Sequence, residues 1–408
     1  MDVSIILSSY NRYPHILLSL YSLEKQTYDL SKMEVIVIDD ASTDHTHLLT
    51  HYHPAYQFKY IRNELNSGLS AARNKGLKMA TGEIIIFLDA EMIVDPDYVS
   101  NNYRHHLTED NAVVISKTVK RVYSFLFPEF NSRQKMELEG LLKKHKEVKN
   151  RLKLVFKENH QLSDTINLEQ MLKNLKSSLP ILNRTDIDNF SGLNPYTAPK
   201  KDLTNILTQL GDKFENSRIA WMACFGNISL KKRIIKKAGG FDEHFKDWGE
   251  EDREFAYRLF KAGAKFVVDD DLKRYHQEHP EPPNKKKGQN KNKIYLQQKH
   301  PDIDVCIRSL NFITKNDFKF MEKILEEHEI LSNQFPNRFN DFKKSIILML
   351  QQITILKSDN KKIKNLLKNS GIEADNKKRK TIFLERTEIE AYGKYNNLIQ
   401  LFDLLCNR

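Results

Sequence analysis

Residues 35–44 read VIVIDDASTD, an apolar run that ends in two acidic residues and a polar turn. Two further runs, VSIIL at residues 3–7 and IIIFL at residues 84–88, are likewise rich in Ile and Val and nearly free of polar alternation. A strand that is buried on both faces has this pattern. Residues 58–61 form a weaker strand candidate, because a lysine interrupts the run. We therefore expect a sheet whose central strands are covered on both sides.

Helical spacing separates these runs. Leucines recur at that spacing in residues 14–26, and leucines and alanines do so in residues 68–80. A further helix is expected between the strands at residues 35–38 and 58–61. The alternation of strands and helices predicts an α/β fold with a mostly parallel, doubly wound, Rossmann-like sheet. Ligands of such sheets bind beyond the carboxyl ends of the strands.

The charge of the chain is unevenly distributed. The 408 residues carry a formal net charge of +11. Residues 1–280 are nearly neutral, with 40 Lys and Arg against 38 Asp and Glu, whereas residues 281–408 hold 25 against 16. The basic runs lack the interleaved aromatic residues of nucleic-acid-binding segments, so we expect no nucleic-acid partner. The excess positive charge of residues 281–408 could instead bind a diphosphate, an anionic acceptor or acidic lipid headgroups.

Cysteine usage and hydropathy indicate the compartment. Cys224, Cys306 and Cys406 are far apart and match no metal-binding spacing, which favours a reducing environment. The N-terminal residues lack a basic leader, and no apolar stretch reaches the roughly 18 residues that a membrane span requires. We expect a cytoplasmic protein whose membrane contact would be peripheral, on the inner face of the membrane.

Changes in local amino-acid composition along the chain predict the domain organisation. Residues 131–217 are rich in Lys and Leu and read as a helical insertion within a domain that covers residues 1–280. The stretch PEPPNKKKGQNKNK has no apolar residue and predicts a mobile, basic loop or linker over residues 281–310. Residues 311–408 are expected to form a C-terminal α-helical region, which could mediate self-association or a peripheral membrane contact.

Acidic residues follow two of the predicted strands. Asp39 and Asp40 come directly after one strand, and Asp89 and Glu91 come after another. Such acids can accept hydrogen bonds from a base edge or ribose hydroxyls, or they can hold a divalent cation that neutralises a diphosphate. An isolated acid at a strand end often only caps the next helix. Two pairs at successive strand ends favour a binding site.

Arg73 lies in NSGLSAARNKG, where a glycine precedes a predicted helix. Free backbone N–H groups at a helix start and a fixed guanidinium charge favour a phosphate ligand. A purely structural arginine on the helix is an equally good explanation of this motif.

Residues 239–266 contain the densest cluster. Trp248 and Gly249 place an aromatic ring beside a turn, which suits stacking against a sugar. Glu251 and Asp252 then begin a predicted helix over residues 251–262, where the helix dipole keeps a carboxylate ionised and fit to act as a general base. Further on, His276 precedes the basic stretch and could complete a metal site with Glu91.

Taken together, SIILSSYNR, VIVIDDASTD, NSGLSAARNKG, FLDAEM and GGFDE followed by WGEEDREFAYRLFKAGA resemble the GT-A-fold family 2 glycosyltransferases. The segment from Trp248 onward is similar to bacterial chondroitin and hyaluronan polymerase domains and to the galactosyltransferase-type C-terminal motif. The resemblance covers residues 1–130 and 218–280. It implies a GT-A fold and a divalent cation, Mn²⁺ or Mg²⁺.

The resemblance also implies roles for individual residues. Glu91 and His276 would bind the metal, and Trp248 and Gly249 would bind the acceptor. The residues that would bind the nucleotide sugar are Ser8, Tyr10, Asp39, Asp40, Arg73 and Asp89.

Catalysis would depend on the Glu-Asp pair. The resemblance makes Asp252 the general base and Glu251 its partner on the acceptor side. In one respect the sequence departs from the family, because the last acid of the DxD position is Glu91, which leaves the identity of the metal open.

The function implied is that of an inverting, metal-dependent hexosyltransferase (EC 2.4) that moves a sugar from a UDP-sugar to a hydroxyl. The expected setting is bacterial capsule, exopolysaccharide or cell-surface glycan synthesis. The acceptor, a glycan, a lipid-linked sugar or a peptide side chain, and the donor sugar stay open. Alternatives are a transferase acting on a protein side chain and a degenerate nucleotide-sugar-binding interaction protein. A nucleotidyltransferase would need a Gly-rich basic phosphate loop, which SSYNRYPH lacks.

Overall fold

The computed structural model describes residues 1–158, 167–200, 204–282 and 284–408. The chain divides into two compact units. Unit 1 comprises Met1–Leu203, Cys224–Lys246 and Arg258–Pro282. Unit 2 comprises Thr204–Ala223, Asp247–Tyr257 and Pro283–Arg408. The domain boundaries predicted from the sequence stay a prediction, because compactness does not test independent folding.

Unit 1 contains the β-structure of the described residues. The strands in chain order are β1 (Val3–Ser9), β2 (Met33–Asp39), β3 (Gln57–Arg62), β4 (Ile84–Asp89), β5 (Met92–Val94), β6 (Ala112–Val122), β7 (Phe125–Leu126), β8 (Leu179–Pro180), β9 (Thr197–Pro199), β10 (Ile228–Lys231) and β11 (Lys265–Gln277). The main sheet has the order β3-β2-β1-β4-β10-β6-β11-β5, with β9 paired to β6, and β7 pairs with β8 separately. Pairing is parallel from β3 to β4 and between β6 and β11, while β10 and β5 run antiparallel to their neighbours. The mostly parallel α/β sheet predicted from the sequence is confirmed.

The α-helices of the described residues number from α1 to α17 in chain order. They are α1 (His15–Glu24), α2 (Leu69–Met79), α3 (Tyr98–Thr108), α4 (Ser132–Lys144), α5 (Lys146–Glu158), α6 (Leu168–Asn174), α7 (Arg184–Ile187), α8 (Thr204–Leu210), α9 (Lys232–Ala238), α10 (Glu251–Lys261), α11 (Lys285–Lys299), α12 (Ile303–Cys306), α13 (Phe318–Gln334), α14 (Asn340–Ser358), α15 (Leu366–Asn369), α16 (Asn376–Ala391) and α17 (Asn396–Cys406). The helices expected from leucine spacing are confirmed as α1, α2 and α10.

The connection between β2 and β3 differs from the sequence prediction. An α-helix was expected there, but His45–His51 form a 3-10 helix. Asp44 caps it by accepting a hydrogen bond from the backbone N–H of Thr46 at 3.0 Å. Side-chain hydrogen bonding of this kind favours turns over continued α-helix.

The described residues of unit 1 include two apolar clusters. In one, α1 and α3 cover one face of the sheet, where Leu20 and Val99 pack with residues of β1, β2 and β4. The other is formed by the helices of the insertion, where Leu138 of α4 and Leu152 of α5 pack with Tyr275 of β11. α1, α3 and the helices of the insertion therefore pack against strands of the main sheet.

The prediction of a mobile loop at residues 281–310 is wrong for residues 285–299, because they form α11. The buried stripe of this helix is Gly288, Asn292 and Leu296. A Cβ atom at Gly288 would lie 2.9 Å from the Cβ of Asp247, so the glycine permits close approach of the 247–249 segment. Because this stripe uses a small residue and an amide, a search for apolar periodicity does not detect the helix.

The expectation of a C-terminal helical region is confirmed in unit 2. Its central helix is α14, which buries Phe342, Ile346, Met349, Leu350 and Ile353. α11, α12, α15, α16 and α17 pack around α14.

None of the described helices is both long enough and apolar enough to cross a bilayer.

One buried carboxylate ties three elements of unit 1 together. Glu34 of β2 accepts hydrogen bonds from the hydroxyl of Ser4 at 2.6 Å, from Lys59 Nζ at 2.6 Å and from the backbone N–H of Thr81 at 2.6 Å. Burial by itself raises the pKa of Glu34, but hydrogen bonds from Lys59, Ser4 and Thr81 outweigh it and lower the pKa to about 2. The folded protein therefore holds this carboxylate ionised.

We expect Glu34→Gln to lower the free energy of unfolding by about 2 kcal/mol near neutral pH, because the donors around it lose a charged acceptor. A depressed carboxyl pKa stabilises above the unfolded-state pKa, so the difference should shrink as pH falls from about 4.5 towards 2. Urea denaturation at both ends of this range measures it. The control is Glu83→Gln, whose side chain is 70% exposed and lies 3.6 Å from Lys231. An equal effect of both substitutions would contradict the assignment.

Candidate active site

Strand register brings the predicted donor-side residues to one edge of the sheet. Ser8 of β1 lies beside Asp89 of β4, and Ser9 lies beside Asp39 of β2. β11, which carries His276, is parallel to β6, and both β6 and β4 run antiparallel to β10. The carboxyl ends of β1, β2, β4 and β11 therefore point the same way. The sequence predicted this arrangement for β1, β2 and β4, and the structure adds β11.

Asp39 is completely buried and holds the turn that follows β2. Its carboxylate accepts from the backbone N–H of Ser42 at 2.8 Å, from the Tyr60 hydroxyl at 2.6 Å and from Arg62 at 2.7 Å. Burial raises the pKa of Asp39, but the hydrogen bonds and Arg62 bring it below its usual range. These contacts indicate a positioning role for Asp39.

Asp40 organises the loop that precedes α2. Its Oδ1 accepts from Asn63 Nδ2 at 2.7 Å and from the backbone N–H of Ser67 at 2.9 Å, and its Oδ2 accepts from the N–H of Gly68 at 2.8 Å. Since Oδ1 also accepts from the Ser67 hydroxyl, it is saturated, whereas Oδ2 has one partner in the described structure and keeps a lone pair. Oδ2 is therefore the Asp40 oxygen that can accept a further hydrogen bond.

Arg73, which is buried, and Asp89, which is partly exposed, form an ion pair. Arg73 NH2 donates to Asp89 Oδ1 at 2.9 Å, and the guanidinium lies 5.1 Å from the ring centre of Phe241. Asn227 holds Asp89 from the other side, because its Nδ2 donates to Asp89 Oδ2 at 2.6 Å and its Oδ1 accepts from the Asp89 N–H at 2.7 Å. Sequence reasoning missed Asn227. An asparagine directly before the buried strand β10 is the signal that could have found it.

Gly226 makes room for this pair. It has a φ of +80°, and a Cβ atom there would lie 2.8 Å from Arg73 NH2. A side chain at residue 226 would therefore displace the guanidinium.

Ser8 of β1 and Tyr10, which follows that strand, differ in accessibility. The Ser8 hydroxyl is buried and has no hydrogen-bond partner among the described residues, whereas Tyr10 is 48% exposed. Asn11, which the sequence prediction did not include, accepts at Oδ1 from the backbone N–H of Thr43 at 2.7 Å. It links the first strand end to the turn after β2.

Glu91, His276 and His279 form a cluster that could hold a metal ion, since one ligand atom from each lies within 4.8 Å of the others. Glu91 Oε1 lies 3.7 Å from His276 Nε2 and 3.5 Å from His279 Nε2, and Glu91 Oε2 lies 3.4 Å from Arg12 Nε. Sequence reasoning predicted Glu91 and His276 for the metal and left His279 out. The spacing of the two histidines, three residues apart at the end of β11, is the signal for it.

The protonation of this cluster suits a cation. Burial raises the pKa of Glu91, but Arg12 and the histidines outweigh burial and hold it well below its ordinary value, so it is ionised. Burial lowers the pKa of His276, which favours its neutral form. A carboxylate and neutral imidazoles are the forms that ligate metals.

A second carboxylate lies behind the cluster. Glu278 Oε1 is 3.7 Å from His276 Nδ1, and Arg133 and Gln134 donate to its Oε2 at 2.8 and 2.9 Å. A carboxylate behind a ligating histidine orients the ring towards the metal. The buried His276 Nδ1 has no hydrogen bond within the usual distance in the described structure. After a small shift, Glu278 Oε1 could accept a hydrogen bond from the N–H at this position. The donor set and its support fit a divalent cation.

The predicted acceptor-side residues belong to unit 2. Trp248 is 50% exposed, and Lys285 Nζ lies 4.4 Å from its ring centre. Gly249 has a φ of +97°, and Asn292 Nδ2 donates to its carbonyl at 2.7 Å. α11 therefore supports the turn that carries the tryptophan.

Glu251 and Asp252 occupy the first turn of α10, as predicted. The residue before them, Glu250, adopts a φ of +72° and is buried. Arg308 donates to Glu250 Oε2 at 2.7 Å. Burial raises the pKa of Glu250, but Arg308 and Arg253 outweigh it and lower the pKa to about 2. This ion pair fixes the start of α10 and hence the direction of the next two carboxylates.

Two family models match this chain. Residues 4–167 match glycosyl transferase family 2, and residues 210–280 match the N-terminal domain of galactosyltransferase. The uncharacterized glycosyltransferase YfnE of Bacillus subtilis strain 168 is 30% identical over 286 residues, which cover 69% of this chain and 66% of that protein. Hyaluronan synthase of Pasteurella multocida is 29% identical over 284 residues, which cover 69% of this chain and 25% of that protein. The chain thus spans less than two thirds of the first relative's length and a quarter of the second's.

Among solved structures, Staphylococcus aureus TarS 1–349 in complex with UDP-GlcNAc aligns with a TM-score of 0.48 at 16% identity. The alignment covers 99% of this chain and 91% of that chain.

We expect Asp40→Asn to loosen the loop before α2, because Asn places an NH₂ group against donors that need an acceptor. Hydrogen exchange at the amides of Ser67 and Gly68 should accelerate by about tenfold or more. The matched control is Glu64→Gln, an exposed acid of the same loop. Unchanged exchange at both amides in Asp40→Asn would refute the positioning role of Asp40.

Proposed function

Because this chain belongs to glycosyl transferase family 2, we propose that it transfers a hexosyl group from a UDP-sugar to a hydroxyl acceptor with inversion of configuration. The observation that carries the proposal is the pairing of two groups at one sheet edge. The Asp89–Arg73–Asn227 network adjoins Glu91, whose carboxylate meets His276 and His279. A fixed cation beside a metal-type cluster suits a nucleoside diphosphate.

The donor would lie across the ends of β1, β2 and β4. Ser8 and Asp40 Oδ2 offer hydrogen-bonding groups to the nucleoside, and Arg73 offers a charge to the diphosphate. Asp39 and Asn11 hold the surrounding turns. Since these groups are already fixed by hydrogen bonds, little ordering would be needed on binding.

Glu91, His276 and His279 would hold a divalent cation, Mn²⁺ or Mg²⁺. When bound, such an ion neutralises charge that develops on the leaving diphosphate. Two imidazole ligands favour Mn²⁺ over Mg²⁺, which prefers oxygen ligands.

Asp252 would act as the general base. It lies in the first turn of α10, where the helix dipole stabilises its ionised form, and Glu250 and Arg308 anchor that turn. Its carboxylate would take the proton of the acceptor hydroxyl as that oxygen attacks the anomeric carbon, and Glu251 would orient the acceptor. Direct attack opposite the leaving group inverts the configuration. The exposed ring of Trp248 would stack against the acceptor sugar.

The acceptor proposed is a growing bacterial capsule, exopolysaccharide or other cell-surface glycan. Support comes from the match to hyaluronan synthase over 69% of this chain, with polymer synthesis in the name of that relative. The present chain spans a quarter of that protein, so we propose transfer of one kind of sugar by this polypeptide.

Asp252→Asn should lower kcat by about 10³-fold or more, because the acceptor hydroxyl loses its proton acceptor. UDP binding measured by calorimetry should be unchanged. The control is Asp247→Asn, an acid of the same segment that pairs with Lys291 at 3.2 Å. Loss of UDP binding together with transfer would show that Asp252 is not the base.

Glu91→Gln and His279→Ala should each weaken Mn²⁺ binding by more than about tenfold, because each removes one ligand. Electron paramagnetic resonance titration of the substrate-free chain with Mn²⁺ measures this directly. His51→Ala, which changes an exposed histidine, serves as the control. Equal affinity in all four proteins would rule out this cluster as the metal site.

A further inference from the structure

The segment from residue 361 to residue 384, in unit 2, is strongly basic. It holds eight Lys and Arg against two acidic residues, for a net charge of +6. Its exposed cations are Lys361, Lys362, Lys364, Lys368, Lys377, Arg379 and Lys380. No part of the donor, metal or acceptor chemistry described above uses this segment.

Most of this charge is not neutralised by the protein. Among the described residues, Lys361 is the one cation of the segment that forms an ion pair, with Asp359 at 2.9 Å. Of the two acids, Asp375 caps α16 by accepting from the backbone N–H of Lys378 at 3.0 Å. A concentration of unpaired cations raises the free energy of the folded chain unless an anion lies against it.

Apolar side chains accompany the cations on α16. Ile382 and Ile389 face the interior of unit 2. Lys377, Lys380 and Leu384 are spaced by three and four residues, so they share the opposite face of the helix.

That outer face is apolar as well as charged. Leu384 is 71% exposed, and the neighbouring Phe383 is 37% exposed with the Arg379 guanidinium 5.9 Å from its ring centre. Lysines around protruding leucine and phenylalanine side chains are typical of helices that lie in a membrane interface. We call this set the basic surface: the exposed cations of residues 361–380 with Phe383 and Leu384.

We propose that the basic surface binds the surface of a membrane that contains anionic lipid. The lysines would lie among the headgroups, and Leu384 and Phe383 would enter the acyl boundary. A nucleic-acid-binding surface would instead interleave its cations with several stacking aromatic residues or Gly-rich motifs, whereas this segment holds a single aromatic residue, Phe383, and no Gly-rich motif. The membrane would hold the chain where lipid-linked or membrane-extruded glycans are made.

The test uses the full chain without substrates, so that its outcome does not depend on the transferase reaction. Vesicles of phosphatidylcholine with about one third phosphatidylglycerol should sediment the protein at about 0.1 M NaCl, and binding should fall steeply at about 0.5 M. Vesicles of pure phosphatidylcholine should not bind it.

Two variants locate the contact. Replacing Lys364, Lys368, Lys377 and Lys380 together by Gln should lower the vesicle partition coefficient by more than about 100-fold. Leu384→Ser should lower it by about tenfold, because the exposed side chain no longer enters the apolar layer.

The matched control removes the same charge elsewhere. Replacing Lys176, Lys213, Lys236 and Lys315, which are exposed and dispersed, by Gln should leave most of the binding intact. Circular dichroism of each variant should match the parent, since the substituted side chains lie on the surface.

Three results would overturn the proposal. The first is failure of the parent chain to bind phosphatidylglycerol vesicles at low salt. The second is equal loss of binding in the two fourfold variants, which would assign it to net charge alone. The third is tighter binding of the basic surface to a duplex oligonucleotide than to the vesicles.

Discussion

Parallel pairing of β1 with β2 and β4 is the constraint on which the rest of unit 1 depends. These strands have hydrogen-bonded neighbours on both sides and are buried on both faces. A polar side chain within such a strand must find a partner inside the protein, as Glu34 does with Ser4 and Lys59. Polar groups that remain available to a ligand are therefore confined to the strand ends, and parallel pairing brings those ends to one edge.

The carboxylates at this edge differ in the groups that surround them. Asp39 and Asp40 hold the turns around them. Asp40 does so through backbone N–H groups and neutral side chains, and Asp39 through the Ser42 N–H, the Tyr60 hydroxyl and Arg62. Asp89 faces Arg73, and Glu91 faces Arg12 and two histidines. Burying a charge raises the free energy of the folded protein unless an opposite charge or hydrogen bonds compensate it. Asp89 and Glu91, with their partners, therefore form a charged centre beside the turns that Asp39 and Asp40 hold.

Sequence reasoning was most successful where local pattern and position coincide. The sequence predicted the strands rich in Ile and Val, the leucine-spaced helices and the acids at strand ends. A strand that is buried on both faces is a continuous apolar run in the sequence, and the first polar residue after the run marks the end of the strand. Asn227 and His279 were missed from the candidate site, because their importance depends on neighbours such as Asp89 and Glu91 that are distant in sequence. Helix α11 was missed because its buried stripe begins with Gly288 and Asn292, whose fit depends on the backbone of residues 247–249.

By itself the sequence determined the class of the fold, the family and the residue types available for nucleotide-sugar chemistry, because hydrophobic period and short ordered motifs are local properties. Only the tertiary structure decided which acids accept hydrogen bonds from the surrounding loops and which second histidine lies beside Glu91 and His276. It also decided which lysines of α16 form no ion pair among the described residues. Those outcomes depend on distances between residues that the chain separates by tens or hundreds of positions. Hydrogen bonding and charge compensation act over a few ångströms, so they are settled only when folding brings such residues together.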